Sequence, residues 1–238
     1  MDFQFKDVYN MDDLLKIMVI LRSSEGCPWD REQTHKSIRN NLLEEAYEAA
    51  EAIDTGDNEL LKEELGDVLL QVVFHSQLES ENGGFDFNDV VDGIAKKMIV
   101  RHPHVFGDVE VKNSSEVLSN WEEIKQRTKG RNTGTQVLKG VSKALPALMR
   151  VQKVQEKASK ALEIKTKPAA AASDVYKKAE DFYKAVNSGN KYECREKLGE
   201  LLFSAADASR LLGIEAEQVL ADSCDRFISE FEKKEAAG

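Results

Sequence analysis

Apolar residues near the start of the chain recur at helical spacing. Leu14, Leu15, Met18 and Leu21 mark one face of a helix over about residues 12–21, ended by the loop-forming run Ser23-Ser24-Glu25-Gly26-Cys27-Pro28-Trp29-Asp30. A second helix starts between Gln33 and Ser37 and runs to Asp54, with an apolar stripe at Leu42, Ala46, Ala49 and Ile53. Thr55-Gly56-Asp57 then supplies a glycine terminator and an acidic cap for a third helix over 58–81, whose stripe is Leu61, Leu65, Val68 and Val72. Asn82-Gly83-Gly84 stops that helix. A fourth, over 88–101, carries Val90, Val91, Ile94, Met98 and Ile99 on one side until His102-Pro103-His104 breaks it, and a short helix over 115–126 follows.

The stretch 128–135 is polar and contains glycine, which marks a boundary between two domains, 1–130 and 131–238. Beyond it the helical pattern resumes, with a small-residue connector over 165–173. The segment Lys197-Leu198-Gly199-Glu200-Leu201-Leu202-Phe203 echoes Glu64-Leu65-Gly66-Asp67-Val68-Leu69-Leu70, so the second region reads as a copy of the first. Four prolines and fourteen glycines in 238 residues leave few breakers, which favours long helices and an all-α fold.

A formal net charge of -10, with no basic run interleaved with aromatics, argues against nucleic acid as a partner. A polyphosphate remains compatible with an acidic chain when metal ions neutralise both sides. Three widely spaced cysteines suit neither a disulfide framework nor a zinc site, which fits a reducing compartment. Neither a signal-like N-terminus nor an apolar run near the ~20 residues of a membrane span is present, so the reading is a cytoplasmic protein without a membrane partner.

The chemistry concentrates in Glu44-Glu45-Ala46-Tyr47-Glu48 on the second predicted helix and Glu63-Glu64-Leu65-Gly66-Asp67 on the third. Counted from the first member of each stripe, Glu45 and Glu48 fall at offsets of three and six residues, as do Glu64 and Asp67. A tight turn at Gly56 makes the two helices neighbours, so these four carboxylates converge. Converging carboxylates repel unless cations stand between them. An all-oxygen donor set without a Glu-x-x-His pair suits Mg²⁺ or Mn²⁺ and not zinc or a di-iron centre. The competing reading is a solvated acidic face, which the matching pattern on adjacent helices weighs against.

With these residues in place the sequence resembles the MazG family of all-α nucleoside triphosphate pyrophosphohydrolases. Glu-Glu-x-x-Glu followed by Glu-x-x-Asp is met by Glu44, Glu45, Glu48, Glu64 and Asp67; residues 26–34, 101–106 and 113–118, Trp121 and residues 145–150 also match. The resemblance implies two tandem MazG-like domains, four-helix bundles completed by forming a homodimer, a Mg²⁺ requirement that Mn²⁺ can meet, and cleavage of NTP or dNTP to the monophosphate and pyrophosphate by water attack on the α-phosphorus. It implies Glu45, Glu48, Glu64 and Asp67 as metal ligands and Glu44 as a further ligand or water-orienting base, which makes Glu44, Glu45 and Glu64 the catalytic set. It implies Lys97 and Arg101 as a phosphate-binding pair, with Trp121 and Lys125 facing the nucleotide. Without the family, Lys97 and Arg101 read as an exposed cationic face and Trp121 as a packing residue.

Other chemistry-bearing residues read more plainly. His102 and His104 suit a structured loop, Cys27 a loop-packing role, and Gly83-Gly84 a turn. In the second copy the aligned positions carry Lys177, Lys178 and Asp181, then Lys197 and Glu200, and a lysine at a ligand position repels Mg²⁺. The C-terminal domain is therefore expected to be degenerate, with a structural, regulatory or dimerising role. Two non-enzymatic readings stand beside the pyrophosphohydrolase: a module that senses nucleotides or binds a protein without turnover, and a ligand-free helical scaffold.

Overall fold

The computed structural model describes residues 3–131 and 133–236. Among these the regular structure is helical: α1 (Met11–Arg22), α2 (Pro28–Glu32), α3 (Arg39–Thr55), α4 (Asn58–Glu81), α5 (Phe87–Arg101), α6 (Pro103–Phe106), α7 (Ser114–Thr128), α8 (Gly134–Lys139), α9 (Ala147–Ala161), α10 (Pro168–Ser188), α11 (Lys191–Leu211) and α12 (Ala216–Glu235). Among the described residues no helix is long and apolar enough to cross a membrane. The chain forms two compact units that divide between Val117 and Leu118.

In the first unit α3 and α4 pair as a hairpin. Gly56 ends α3 at φ +70°, a left-handed conformation that costs glycine little, and Asp57 accepts from the Glu59 and Leu60 amides to start α4. Met18, Ile38, Val73, Phe74 and Leu78 form the core, with Leu14, Leu15 and Leu70 packed against it. The apolar stripe of α1 thus lies on the C-terminal half of α4. Arg22 fixes that arrangement with a two-pronged bond to Glu81, Nε to Oε1 at 2.8 Å and Nη2 to Oε2 at 2.7 Å, and its guanidinium lies over Phe74.

Two sequence expectations need correction here. The second predicted helix begins at Arg39, later than read, because Thr34 and Ser37 bond to each other in a turn, each backbone N–H donating to the other's hydroxyl. The stripes read on α3 and α4 are only partly covered in the single chain: Ala49 is buried and Leu42, Leu61, Val68 and Val72 are half-buried, whereas Ala46 is exposed, Ile53 is 62% exposed and Leu65 is 54% exposed. The fully buried apolar residues of α4, Val73, Phe74 and Leu78, fall on its C-terminal half, the part α1 covers.

The second unit is locked by polar side chains over a core of small residues, Ala171, Ala185, Ser204 and Ala206. Gln152 on α9 donates to the Ile214 carbonyl at 2.8 Å and accepts from the Ala216 amide at 3.1 Å, joining α9 to the loop before α12. Glu217 accepts from the Leu148 and Met149 amides, the unsatisfied donors of α9's first turn. Glu122 on α7 binds Lys157 of α9 at 2.7 Å and Lys125 at 3.3 Å. These ties place most of α7 in the second unit, so the units divide ahead of the polar stretch over 128–135, in which Asn132 lies outside the described residues.

Burial would raise the Glu122 carboxyl, but hydrogen bonds from Lys157, Gln126 and Lys125 prevail and lower it from 4.5 to about 2. Its contribution to stability is therefore complete above about 4.5 and is lost as the pH falls towards about 2. Urea unfolding across that window should show a fall in stability that is shallower in Glu122→Gln; identical pH slopes in the two proteins would refute the assignment.

Candidate metal centre

The hairpin sets the first two turns of α4 beside the middle of α3. Across this seam Glu45, Glu48 and Glu64 each offer a carboxylate oxygen, and the three oxygens lie within 4.8 Å of one another. Glu64 is buried at 9% exposure, Glu45 is half-buried and Glu48 is exposed, so the group is a partly sheltered recess open on one side. Burial raises the Glu45 carboxyl above its ordinary range, and the charges of Asp67, Glu48 and Glu64 raise it further. Glu64 is raised by burial and then by Glu48, Asp67 and Glu63.

These shifts share a physical origin. Ionised carboxylates held together without a counter-charge favour protonation, and a bound cation would remove that preference. The donors are all carboxylate oxygens, the set that fits a hard divalent ion and does not fit one preferring thiolate or imidazole. Asp67, on α4, is close enough for its charge to act on both Glu45 and Glu64. Glu44 is an exposed neighbour of Glu45 on α3, outside the three-residue group.

The remaining candidate residues are placed as follows. Lys97 and Arg101 stand one turn apart on α5, Lys97 exposed and Arg101 buried. Trp121 and Lys125 lie on the part of α7 that belongs to the second unit, the Lys125 ammonium 4.7 Å from the Trp121 ring centroid. His102 Nδ1 meets the Met98 carbonyl at 2.6 Å, an end-of-helix contact consistent with a structural role. Sequence reading passed over His35 and His75. Their Nδ1 atoms lie 2.7 Å apart, and His35 Nε2 lies 2.8 Å from Glu79 Oε1, which fastens the segment before α3 to α4. Neither histidine has a helical or motif partner nearby in sequence that could have announced the contact.

In the second unit α10 and α11 repeat the α3–α4 pairing. Lys178 Nζ lies 2.8 Å from Glu200 Oε2 and Lys197 Nζ 3.1 Å from Glu200 Oε1. Asp67 lies outside the three-residue group but its charge acts on Glu45 at one seam, and the aligned Lys178 and Glu200 pair directly across the other. The Lys178 hydrogen bond, then that of Lys197, lowers the Glu200 carboxyl. Here the cation is part of the chain.

A family profile described as MazG nucleotide pyrophosphohydrolase domain matches residues 33–106. The nucleoside triphosphate pyrophosphohydrolase/pyrophosphatase MazG of Thermotoga maritima is 40% identical over 94% of this chain and 85% of its own length. The nucleoside triphosphate pyrophosphohydrolase of Escherichia coli K12 is 40% identical over 94% of this chain and 87% of its own. Among solved structures, a mazG-related protein from Thermotoga maritima aligns with 49% of this chain and 99% of its own at 27% identity, with a TM-score of 0.42.

The raised carboxyls set a stability signature for the metal-free chain. A folded value above the unfolded one means that the cluster disfavours folding increasingly as pH climbs past the ordinary 4.5. In EDTA at neutral pH, Glu64→Gln should therefore unfold at a higher temperature than the parent, with the gap closing as pH is lowered towards 4.5. A variant that melts earlier than its parent under those conditions would assign Glu64 a supporting role and remove the repulsion argument.

Proposed function

The chain belongs to the MazG family, and on that premise we propose that it is a nucleoside triphosphate pyrophosphohydrolase, a hydrolase that converts NTP or dNTP and water to the monophosphate and pyrophosphate. The observation that carries this reading is the group of three carboxylates, Glu45, Glu48 and Glu64, within 4.8 Å on paired helices of the segment matched by the family profile. Its catalytic domain is the N-terminal one, which holds the carboxylate group, and the C-terminal domain is a degenerate copy.

Glu45, Glu48, Glu64 and Asp67 would hold Mg²⁺, with Mn²⁺ as a substitute. When bound, the ion supplies charge neutralisation across the triphosphate and a water of lowered pKa. Glu44, next to the cluster, orients the water that attacks the α-phosphorus. Lys97 and Arg101 draw negative charge from the phosphates, and Arg101, being buried, holds its position with little freedom to lose. Trp121 and Lys125 are the residues proposed to face the nucleotide. Pyrophosphate is the leaving group.

The bundle in this reading is completed by a second copy of the chain. Apolar side chains on three helices of the first unit are open to solvent, among them Tyr47 and Ile53 on α3, Leu65 and Leu69 on α4, and Ile94 and Ile99 on α5. Exposed apolar side chains of that kind are what an oligomer interface covers.

A panel of NTPs and dNTPs incubated with Mg²⁺, with products resolved by ion exchange, should give the monophosphate and pyrophosphate. Glu45→Gln and Glu64→Gln should each lose about 10²-fold or more in rate, the scale expected when several kcal/mol of charge stabilisation disappears. Production of diphosphate and inorganic phosphate would move the attack to another phosphorus, and intact triphosphate would favour a nucleotide sensor.

A further inference from the structure

The second unit contains a cavity of about 860 Å³ walled by α9, α10, α11 and the connector between α9 and α10. That volume lies within the range of roughly 300–1,000 Å³ typical of small-molecule sites. Three features of its wall specify a ligand.

The first is a buried acceptor without a donor. Gln155 lines the cavity at 8% exposure. Its Nε2 donates to the Phe203 backbone carbonyl at 2.7 Å, which fixes the amide orientation, since the flipped amide would set two oxygens against each other. Oε1 is left buried with no hydrogen-bond partner. Such a group is costly to bury unless something supplies an N–H or O–H.

The second is an aromatic face. The Phe203 side chain lines the same cavity and is about half exposed, beside the apolar Ile164 and Ala171. A planar heterocycle carrying an N–H would both stack on the ring and satisfy Gln155.

The third is the charge balance. Of the cations on the wall, Lys178 is held by Glu200, and Arg210 by Asp207 through two bonds of 2.9 and 2.6 Å. Arg195 forms no hydrogen bond or ion pair among the described residues, which leaves one guanidinium fork for a compact anion. Glu200 and Asp207 are neutralised in their pairs with Lys178 and Arg210, and the other two carboxylates on the wall, Asp174 and Glu196, would repel a longer polyphosphate. Lys178 stands where the first unit carries Glu45, and its ammonium, 2.8 Å from Glu200, supplies at this seam the positive charge that a metal ion would supply at the other.

We propose that this cavity binds a nucleoside monophosphate without a divalent cation, the base lying on Phe203 with an N–H on Gln155 Oε1 and the phosphate on Arg195. The choice among heterocyclic anions rests on the proposed hydrolysis, which makes a nucleoside monophosphate the product released by the same chain. The C-terminal unit is then a product-sensing site in which the acidic seam has been replaced by an internal lysine.

Isothermal titration of the full chain in EDTA with AMP, GMP, CMP and UMP tests this directly. At least one monophosphate should bind at one site per chain. Arg195→Ala and Phe203→Ala, both of which leave the Gln155 bond to the backbone available, should weaken it about tenfold or more while circular dichroism stays unchanged. No binding of any of the four in EDTA, binding that appears only after Mg²⁺ is added, or undiminished binding in Arg195→Ala overturns the proposal. Because no triphosphate is present, a chain that failed to hydrolyse NTP would leave this readout intact, and absent monophosphate binding would leave the hydrolysis assay untouched.

Discussion

Mutual repulsion among carboxylates across the α3–α4 seam is the constraint around which the first unit is built. Glu64 is buried, and Glu45 and Glu48 approach it closely enough that Glu45 and Glu64 are both pushed towards the protonated form. Left to itself, such a seam would open. It is held from both ends, by the Gly56 and Asp57 turn at one and by the packing of α1 on the far half of α4 at the other. The apolar core and the Arg22–Glu81 bond are displaced along α4 from the acids, so the stabilising part of the helix and its strained part are separate stretches of one rigid rod. Rigidity of this kind is what a preorganised charged site requires.

The second unit answers the same geometric problem with different chemistry. Where the helix pairing recurs, Lys178 and Lys197 grip Glu200, and the Glu200 carboxyl is lowered where those of Glu45 and Glu64 are raised. A carboxylate seam needs an external cation; a lysine–glutamate seam supplies its own and is satisfied without one. The two helix pairs therefore differ, one electrostatically incomplete alone and the other complete. The polar locks of the second unit, Gln152 and Gln155, belong with this difference, because a core of alanine and serine has too little apolar surface to fix the helices unaided.

Much of this was legible from the residues, and the parts that were not share a cause. Third-helix bounds of 58–81 were readable to the residue because glycine, aspartate and the Asn82-Gly83-Gly84 stop are local signals. Convergence of Glu45, Glu48 and Glu64 followed from helical spacing plus one tight turn, again local information. By contrast, α2 has only five residues and depends on a tertiary contact, Arg22 donating to the Asp30 carbonyl, so no periodicity announces it. The exposure of Ile53 and Leu65 was hidden for the converse reason: an apolar stripe states that a face is to be covered, and does not state by what. The pairing of His35 with His75 and the open acceptor on Gln155 depend on how separate helices meet, which spacing along one helix does not encode.

The exposed stripes and the acidic seam are linked by position. Leu65 immediately follows the buried Glu64, and Tyr47 stands between Glu45 and Glu48. A partner surface that covered these apolar residues and extended over the adjoining carboxylates would lower the local dielectric and strengthen both their repulsion and their attraction for a cation. Association and cation affinity would then be coupled through one surface: covering the stripe without a cation deepens the repulsion, and occupying the seam makes covering the stripe cheaper in free energy. Under the proposed reading of a homodimeric, Mg²⁺-dependent enzyme, the apolar residues beside the acids are part of the site's electrostatics as much as of its assembly.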